Sequence, residues 1–364
     1  MIMVGKVFVA LIWTFWIIAT GSVARGTDNH TLAEYNPSYS STYDRVIKRG
    51  YIICGTNDEF PGFSQETFSN EQGQRWIGFD VDICRAVAAA VFGDADSIEF
   101  EIVNGKTRFE FLIDGSIDIL SATTTYTYTR NVAKKLEFMP TTYYDGQGFI
   151  VRKTLGVSSA KQMEGARICF SATGTAAQNI KDFFKKHNIT YIPVPVPPTE
   201  KTKNVYKRGE CDMYGTDRSG LASNRLSFDK PDRHMILPEI ISKEPLGMVV
   251  RYGDGKWSDI VRWTVYVLFI GEEMEINSRN IDRFSDNIDP NIQRFMGEMN
   301  GNDHPHLGAK LGLPEKWSYN VIKQVGNYRE IYERNVGEDT PIGLKRGLNK
   351  LYIHGGLLYA PPLK

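Results

Sequence analysis

The chain runs through the same alternation of strand and helix twice, and this repetition limits its fold more than any other feature. In the first half a short helix ends at Arg49, and an apolar strand is expected over 51–54. A helix then opens at Gly78-Phe79-Asp80, with Ile83, Val87, Ala90 and Val91 apolar at helical spacing. Asp80 or Asp82 is placed to serve its start, and Phe92-Gly93-Asp94 to stop it. A strand over 98–103, a helix over 107–113 and a strand over 117–120 complete a βαβαβ unit. Such a unit implies an α/β protein with a mostly parallel sheet flanked by helices.

The second half repeats the order: a strand over 167–170, a helix over 175–187, a strand over 191–196, a short helix leading to Gly209, and a strand over 211–214. Pro193 and Pro195 lack backbone donors, so the strand over 191–196 can only be an edge or irregular strand. Gly115-Ser-Ile-Asp118 and Gly209-Glu-Cys-Asp212 each introduce the third strand of a unit, and five residues beyond each Asp stand Thr123 and Asp217. Ligands of open α/β sheets bind beyond the carboxyl ends of strands, so two facing sheets would set these tails across one cleft. Segments 143–148 and 243–247 both contain Gly and read as paired crossings of a hinge. The expected organisation is a lead-in over 25–43, a first lobe over 44–145 and a second over 146–246. Residues 247–364 then return to the first lobe and extend beyond it.

Residues 1–24 read as a signal peptide. Lys6 gives a positive n-region, residues 7–19 are uncharged and strongly apolar, and Ser22-Val23-Ala24 offers small residues for cleavage. The apolar stretch is about 13 residues, short of the roughly 20 that cross a bilayer as a helix. Export suits the four cysteines, Cys54, Cys84, Cys169 and Cys211, all beyond the leader. Four cysteines allow three pairings. Bridges within lobes are the most economical, as Cys54–Cys84 and Cys169–Cys211. No two cysteines have the close spacing of a zinc ribbon.

Lys plus Arg and Asp plus Glu each number 43, so no basic field exists to attract nucleic acid. Enzyme signals are weak. There is no Gly-x-Ser-x-Gly elbow, Walker-type loop or Gly-x-Gly-x-x-Gly, and the single His cluster, His304-Pro-His306, reads as a solvated loop. No metal or cofactor is implied. Binding signals are stronger. Thr175-Ala-Ala-Gln178 matches a capping box, and Gly174 before it lets a ligand approach the helix start, whose free N–H groups suit a carboxylate. Residues 121–130 read Ser-Ala-Thr-Thr-Thr-Tyr-Thr-Tyr-Thr-Arg, with hydroxyls crowded beyond a strand end and the planar fork of Arg130 suited to a carboxylate. Asp217, beyond the matching strand, can accept from an ammonium, so the pair suits a zwitterion.

At these residues the chain resembles the periplasmic solute-binding proteins of polar amino-acid ABC importers, most of all the general L-amino-acid-binding branch. The resemblance is carried by Gly78-Phe-Asp-Val-Asp-Ile-Cys-Arg-Ala-Val-Ala-Ala-Ala-Val-Phe-Gly-Asp94, Tyr143-Tyr-Asp-Gly-Gln-Gly-Phe149, Pro238-Glu-Ile-Ile-Ser-Lys-Glu-Pro-Leu-Gly247 and Tyr359-Ala-Pro-Pro362. It implies a two-lobed periplasmic-binding-protein fold, a monomer in the periplasm that closes on one L-amino acid and delivers it to the permease of an ABC transporter in the inner membrane. Arg130 matches the family's carboxylate-binding arginine and Asp217 its amine-binding aspartate. Thr123 and Thr125 match positions that hydrogen-bond the ligand's charged ends, and Phe60 falls where an aromatic packs on the ligand side chain. Asn57 stands where relatives selective for basic amino acids place an Asp, which argues against a preference for Lys or Arg. Ala176 stands where many members have Thr, so its N–H remains but a hydroxyl contact is lost. The competing expectation is a periplasmic enzyme on the same fold, such as a cyclohexadienyl dehydratase-like lyase.

Overall fold

The computed structural model describes residues 41–58, 60–69, 73–299 and 306–364. The leader over 1–24, nearly all of the lead-in, and His304 lie outside them. The first unit begins with α1 (Thr42–Arg49), β1 (Ile52–Thr56), the hairpin β2 (Gln65–Ser69) and β3 (Gly73–Ile77), and α2 (Phe79–Phe92). It continues with β4 (Ile98–Ile102), α3 (Arg108–Asp114), β5 (Ile119–Leu120) and the long β6 (Leu136–Asp145). The second unit comprises β7 (Gln147–Arg152), β8 (Arg167–Ser171), α4 (Ala176–Lys186), β9 (Ile192–Val196), α5 (Thr202–Lys207), β10 (Met213–Asp217), α6 (Arg218–Leu226) and β11 (His234–Ile236). The chain then returns through β12 (Glu244–Arg251) to the helices α7 (Gly255–Glu273), α8 (Pro290–Met296), α9 (Leu307–Leu311), α10 (Trp317–Val325) and α11 (Tyr328–Asn335).

The two large sheets have orders β4-β1-β5-β12-β6 and β11-β7-β10-β8-β9. Read from opposite ends they are the same pattern. Three parallel strands come first, then one reversed strand that crosses between lobes, then a fifth aligned with the first three. The proline-bearing β9 sits at the edge, as its missing donors require.

The paired Gly-x-x-Asp sequences have one structural job. Asp118 donates its N–H to Ile53 O at 2.9 Å, and its carboxylate accepts from Ile53 N at 2.8 Å. Asp212 repeats this against Arg167, at 2.9 Å in both directions. Each carboxylate also takes guanidinium partners, Arg45 and Arg49 for Asp118 and Arg167 for Asp212. An acid at this point stitches the third strand of each unit to its first and fixes where the following ligand-side loop begins.

Helix α2 lies in the main core, with twelve of its fourteen residues buried. The return helices α7, α10 and α11 pack against it, which explains why Ala86 to Ala90 are sealed on a helix expected to show one apolar face. This burial also overturns the expected capping. Gly78 is the N-cap, and neither acid caps the start. Asp82 accepts instead from Arg334 at 2.7 Å and Asn335 at 2.6 Å, and Asp80 reaches across to the β5 loop. Both disulfides join within lobes, Cys54–Cys84 tying β1 to α2 and Cys169–Cys211 tying β8 to the approach of β10, with Cα separations of 6.5 and 5.7 Å. Among the described residues no helix is long and apolar enough to cross a membrane, and no group of His, Cys, Asp and Glu is arranged to hold a metal ion.

Candidate ligand site between the two sheets

The loops that follow β1, β5, β8 and β10 meet between the two sheets. Phe60 follows β1 and packs on Phe63 at 5.2 Å between ring centroids. From the other side Gly220, in the first turn of α6, comes so close that a Cβ there would stand 3.4 Å from the Phe60 ring. Gly105 abuts Thr173 in the same way, with no room for a side chain between them. Lys201 of α5's approach pairs with Asp58 at 3.1 Å across the rim.

The turn after β5 is held by Asp80. Its carboxylate accepts from Ser121 Oγ at 3.0 Å and from Thr123 N at 3.0 Å. Thr123 adopts a φ of 44°, a left-handed conformation that a β-branched residue rarely takes. Its hydroxyl then accepts from Asn57 Nδ2 at 3.2 Å. Thus Asn57 and Thr123, both expected at the site, touch, and the residue that brings them together is the acid assigned by sequence to the helix start. Burial pushes Asp80 up to about 6, against hydrogen bonds from Thr123 and Ser121 that lower it.

That shift has a measurable consequence. An acid whose pKa is higher in the native state stabilises the fold fully below its unfolded value, and loses that contribution as pH rises through the native one. A rise of about two units corresponds to about 3 kcal/mol. The stability difference between wild type and Asp80→Asn should therefore shift by about 2.4 kcal/mol against wild type between pH 4 and pH 7. Urea unfolding at both pH values tests this, and a difference that stays constant with pH rules out burial as the cause.

Arg130 is 7% exposed. Its Nη1 donates to Thr125 O at 2.7 Å, so Thr125 contributes its carbonyl to aiming the guanidinium. Its Nη2 faces the start of α4, where a Cβ on Gly174 would stand 3.9 Å away. Burial pushes Arg130 down from the ordinary arginine range, opposed by the nearby Glu244 and Asp217. Arg108, which sequence reading passed over, lies close by. The two guanidiniums flank the ring of Phe109, at 5.4 and 4.8 Å from its centroid. Burial and then Arg130 push Arg108 down, while Asp217 pulls it back.

Opposite stand three carboxyl side chains. Asp217 ends β10 and is pushed well above the carboxylate range by burial, then by Asp145 and Glu244, with Arg130 and Arg108 opposing. Asp145, at the end of β6, is pushed up by burial. Glu244 begins β12, is 1% exposed, and accepts from Asn179 Nδ2 and Ser242 Oγ, both at 2.7 Å. Asp145 and Glu244 both lie inside stretches that carry the family resemblance, but sequence offered no reason to single them out.

The capping box at α4 does not form. Thr175 is the N-cap residue but sits in the right-handed helical region and makes no cap bond. Its hydroxyl donates to Glu244 Oε2 at 3.3 Å. Gln178 donates to Asp182 at 2.8 Å, one helical turn on. Ala176 presents its carbonyl to Gln147 Nε2 at 3.4 Å. Of the residues expected at the site, Phe60 and the Asn57–Thr123 pair come from the first unit, together with Arg130 on its Thr125 carbonyl. Thr175, Ala176 and Asp217 face them from the second.

Residues 52–268 match the bacterial extracellular solute-binding proteins, family 3. The chain belongs to that family. It is similar to the general L-amino acid-binding periplasmic protein AapJ of Rhizobium johnstonii, 46% identical over 325 residues that cover 89% of this chain and 93% of that one. It is also similar to the putative amino-acid ABC transporter-binding protein YhdW of Escherichia coli, 41% identical, with 95% and 98% covered. A periplasmic binding protein from Brucella ovis, solved with glutathione bound, superposes with a TM-score of 0.85 at 40% identity, covering 90% of this chain and all (100%) of that one. For this family-3 solute-binding protein the fold is therefore the two-lobed one. Its relatives are binding proteins of transporters, so the lyase alternative is not favoured.

Proposed function

We propose that this chain is an extracytoplasmic binding protein for L-amino acids, broad and polar in preference, that hands its ligand to the permease of an ABC importer. The observation that carries the reading is the opposition of unlike groups across the site, the Arg130 guanidinium aimed at the start of α4 and the Asp217 carboxyl at the end of β10. An amino acid supplies the carboxylate for the first and the ammonium for the second. In this reading Arg130 and the N–H groups at Thr175 and Ala176 hold the carboxylate, and Asp217 with Thr123 holds the ammonium. Thr125 aims Arg130, and Asn57 steadies Thr123. Phe60 meets the side chain, and the Arg108 guanidinium suits an acidic one. Residues 44–145 with 247–364 form one lobe and 146–246 the other, closing about the crossings at Asp145 and Glu244. Export through the 1–24 leader places the protein, as a monomer, in the periplasm. The names of AapJ and YhdW support the ligand class and the transporter.

A thermal-shift screen over the twenty amino acids, with glutathione alongside, tests the reading. Ligand at 100 times its Kd stabilises the native state by about 2.7 kcal/mol. A screen in which no amino acid raises the melting temperature defeats it. Phe60→Ala should cost about 1–2 kcal/mol for ligands with long side chains and little for glycine or alanine, because only the former reach the ring. Equal losses across all ligands would remove Phe60 from the side-chain pocket.

A further inference from the structure

Asp217 and Thr175 occupy the N-cap positions of α6 and α4, and both are residue types that ordinarily cap their own helix. Neither does so. At α6 the N–H that a capping Asp217 would take, that of Ser219, donates to Asp145 Oδ2 at 3.1 Å. At α4 the Thr175 hydroxyl is drawn off by Glu244 at 3.3 Å. Asp145 and Glu244 are directly opposed on the paired crossing strands β6 and β12. Two acids opposite one another on adjacent strands destabilise a sheet by themselves. Here each is compensated by donors, Gly146 N at 2.8 Å for Asp145, and Asn179 and Ser242 for Glu244.

We infer that Asp145 is a positioning residue that caps α6 from the hinge in place of Asp217, and so leaves the Asp217 carboxylate facing the cleft. At α4 Glu244 accepts from the Thr175 hydroxyl, which holds that side chain at the N-cap position without capping the helix. The inference rests on the reading of Asp217 as the ammonium partner. With Asp145 in place, the Ser219 N–H, one of the two that an N-cap side chain ordinarily takes, is already satisfied. Without it, Asp217 at the N-cap is the side chain placed to accept from that N–H, and its turn towards its own helix withdraws it from the ligand.

The test compares Asp145→Ala with Asp145→Asn, which keeps an acceptor oxygen but no charge. A crystal structure of ligand-free Asp145→Ala should show an Asp217 carboxylate oxygen about 3 Å from Ser219 N, a hydrogen-bond distance. A carboxylate that stays turned to the cleft overturns the inference whatever the protein binds. By isothermal titration with L-glutamate, Asp145→Ala should weaken binding at least tenfold more than Asp145→Asn. Equal losses mean that Asp145 acts through its charge, and no loss in either means that it does not act, and both results overturn the inference. Should Asp145→Ala fail to fold, Asp145→Asn is compared with Asp217→Asn. Retention of at least tenfold more affinity, with Ser219 N still bonded to the side-chain oxygen at position 145 in a crystal structure of Asp145→Asn, supports capping, and equal affinity or a Ser219 N that has left that oxygen overturns it. Wild type that binds neither L-glutamate nor any other amino acid defeats the proposed function, while the crystallographic result still decides the capping.

Discussion

Replacement of Arg130 or Asp217 by Ala is expected to weaken every amino-acid ligand, whatever its side chain. The two residues face each other from opposite units, Arg130 buried and Asp217 half-buried, and desolvation pushes Arg130 down and Asp217 up. Truncating one partner leaves a ligand charge buried without its counterpart. Such a loss costs about 2–5 kcal/mol, or roughly 30-fold to several thousand-fold in affinity. Thr125 O already holds one arm of the Arg130 fork, so less of the binding energy is lost to ordering it. Isothermal titration of folded variants is decisive. Either alanine variant retaining affinity within about threefold of wild type, under about 1.4 kcal/mol, would falsify the clamp.

The largest expected effect on stability comes from Gly78→Ala. Gly78 has φ 134° and ψ 171° at the N-cap of α2, a region open essentially only to glycine. A Cβ there would stand 2.2 Å from Phe63 O and 2.8 Å from Ser64 N, so backbone must move. Backbone strain of about 1–3 kcal/mol adds to about 1–3 kcal/mol of overpacking, and a loss near 4 kcal/mol is expected. That is a large share of the ~5–15 kcal/mol that holds a typical protein folded. Because α2 carries Asp80, the same change should loosen the Thr123 turn. The urea midpoint reads the first effect. A midpoint unchanged from wild type would mean that the 63–64 backbone yields at no cost.

The repeated alternation, the edge strand with Pro193 and Pro195, and both disulfides were legible from the sequence because local chemistry decides them. Apolar periodicity sets the element type, a missing N–H excludes an interior strand, and each cysteine pair lies within one α/β unit. Sequence singled out Arg130 and Asp217 as candidates because each lies at or beyond a strand end, where parallel sheets expose side chains to a ligand. The partners of these residues were decided only by tertiary structure. Asp80 and Thr175 are helix-start residues by sequence, Asp217 stands at the N-cap of α6 in the fold, and local rules would give each a capping role. In the fold Asp80 and Thr175 leave that role for acceptors or donors distant in the chain, at Ser121, Thr123 and Glu244, and Asp145 takes it over from Asp217. Arg108 and Glu244 give no local signal, since a charged residue at a helix or strand end is ordinarily solvated. Their place in the site follows from the two sheets facing one another. A hydrogen bond between residues far apart in sequence becomes available only when the sheets have assembled, and there it replaces the local cap that the sequence alone would choose.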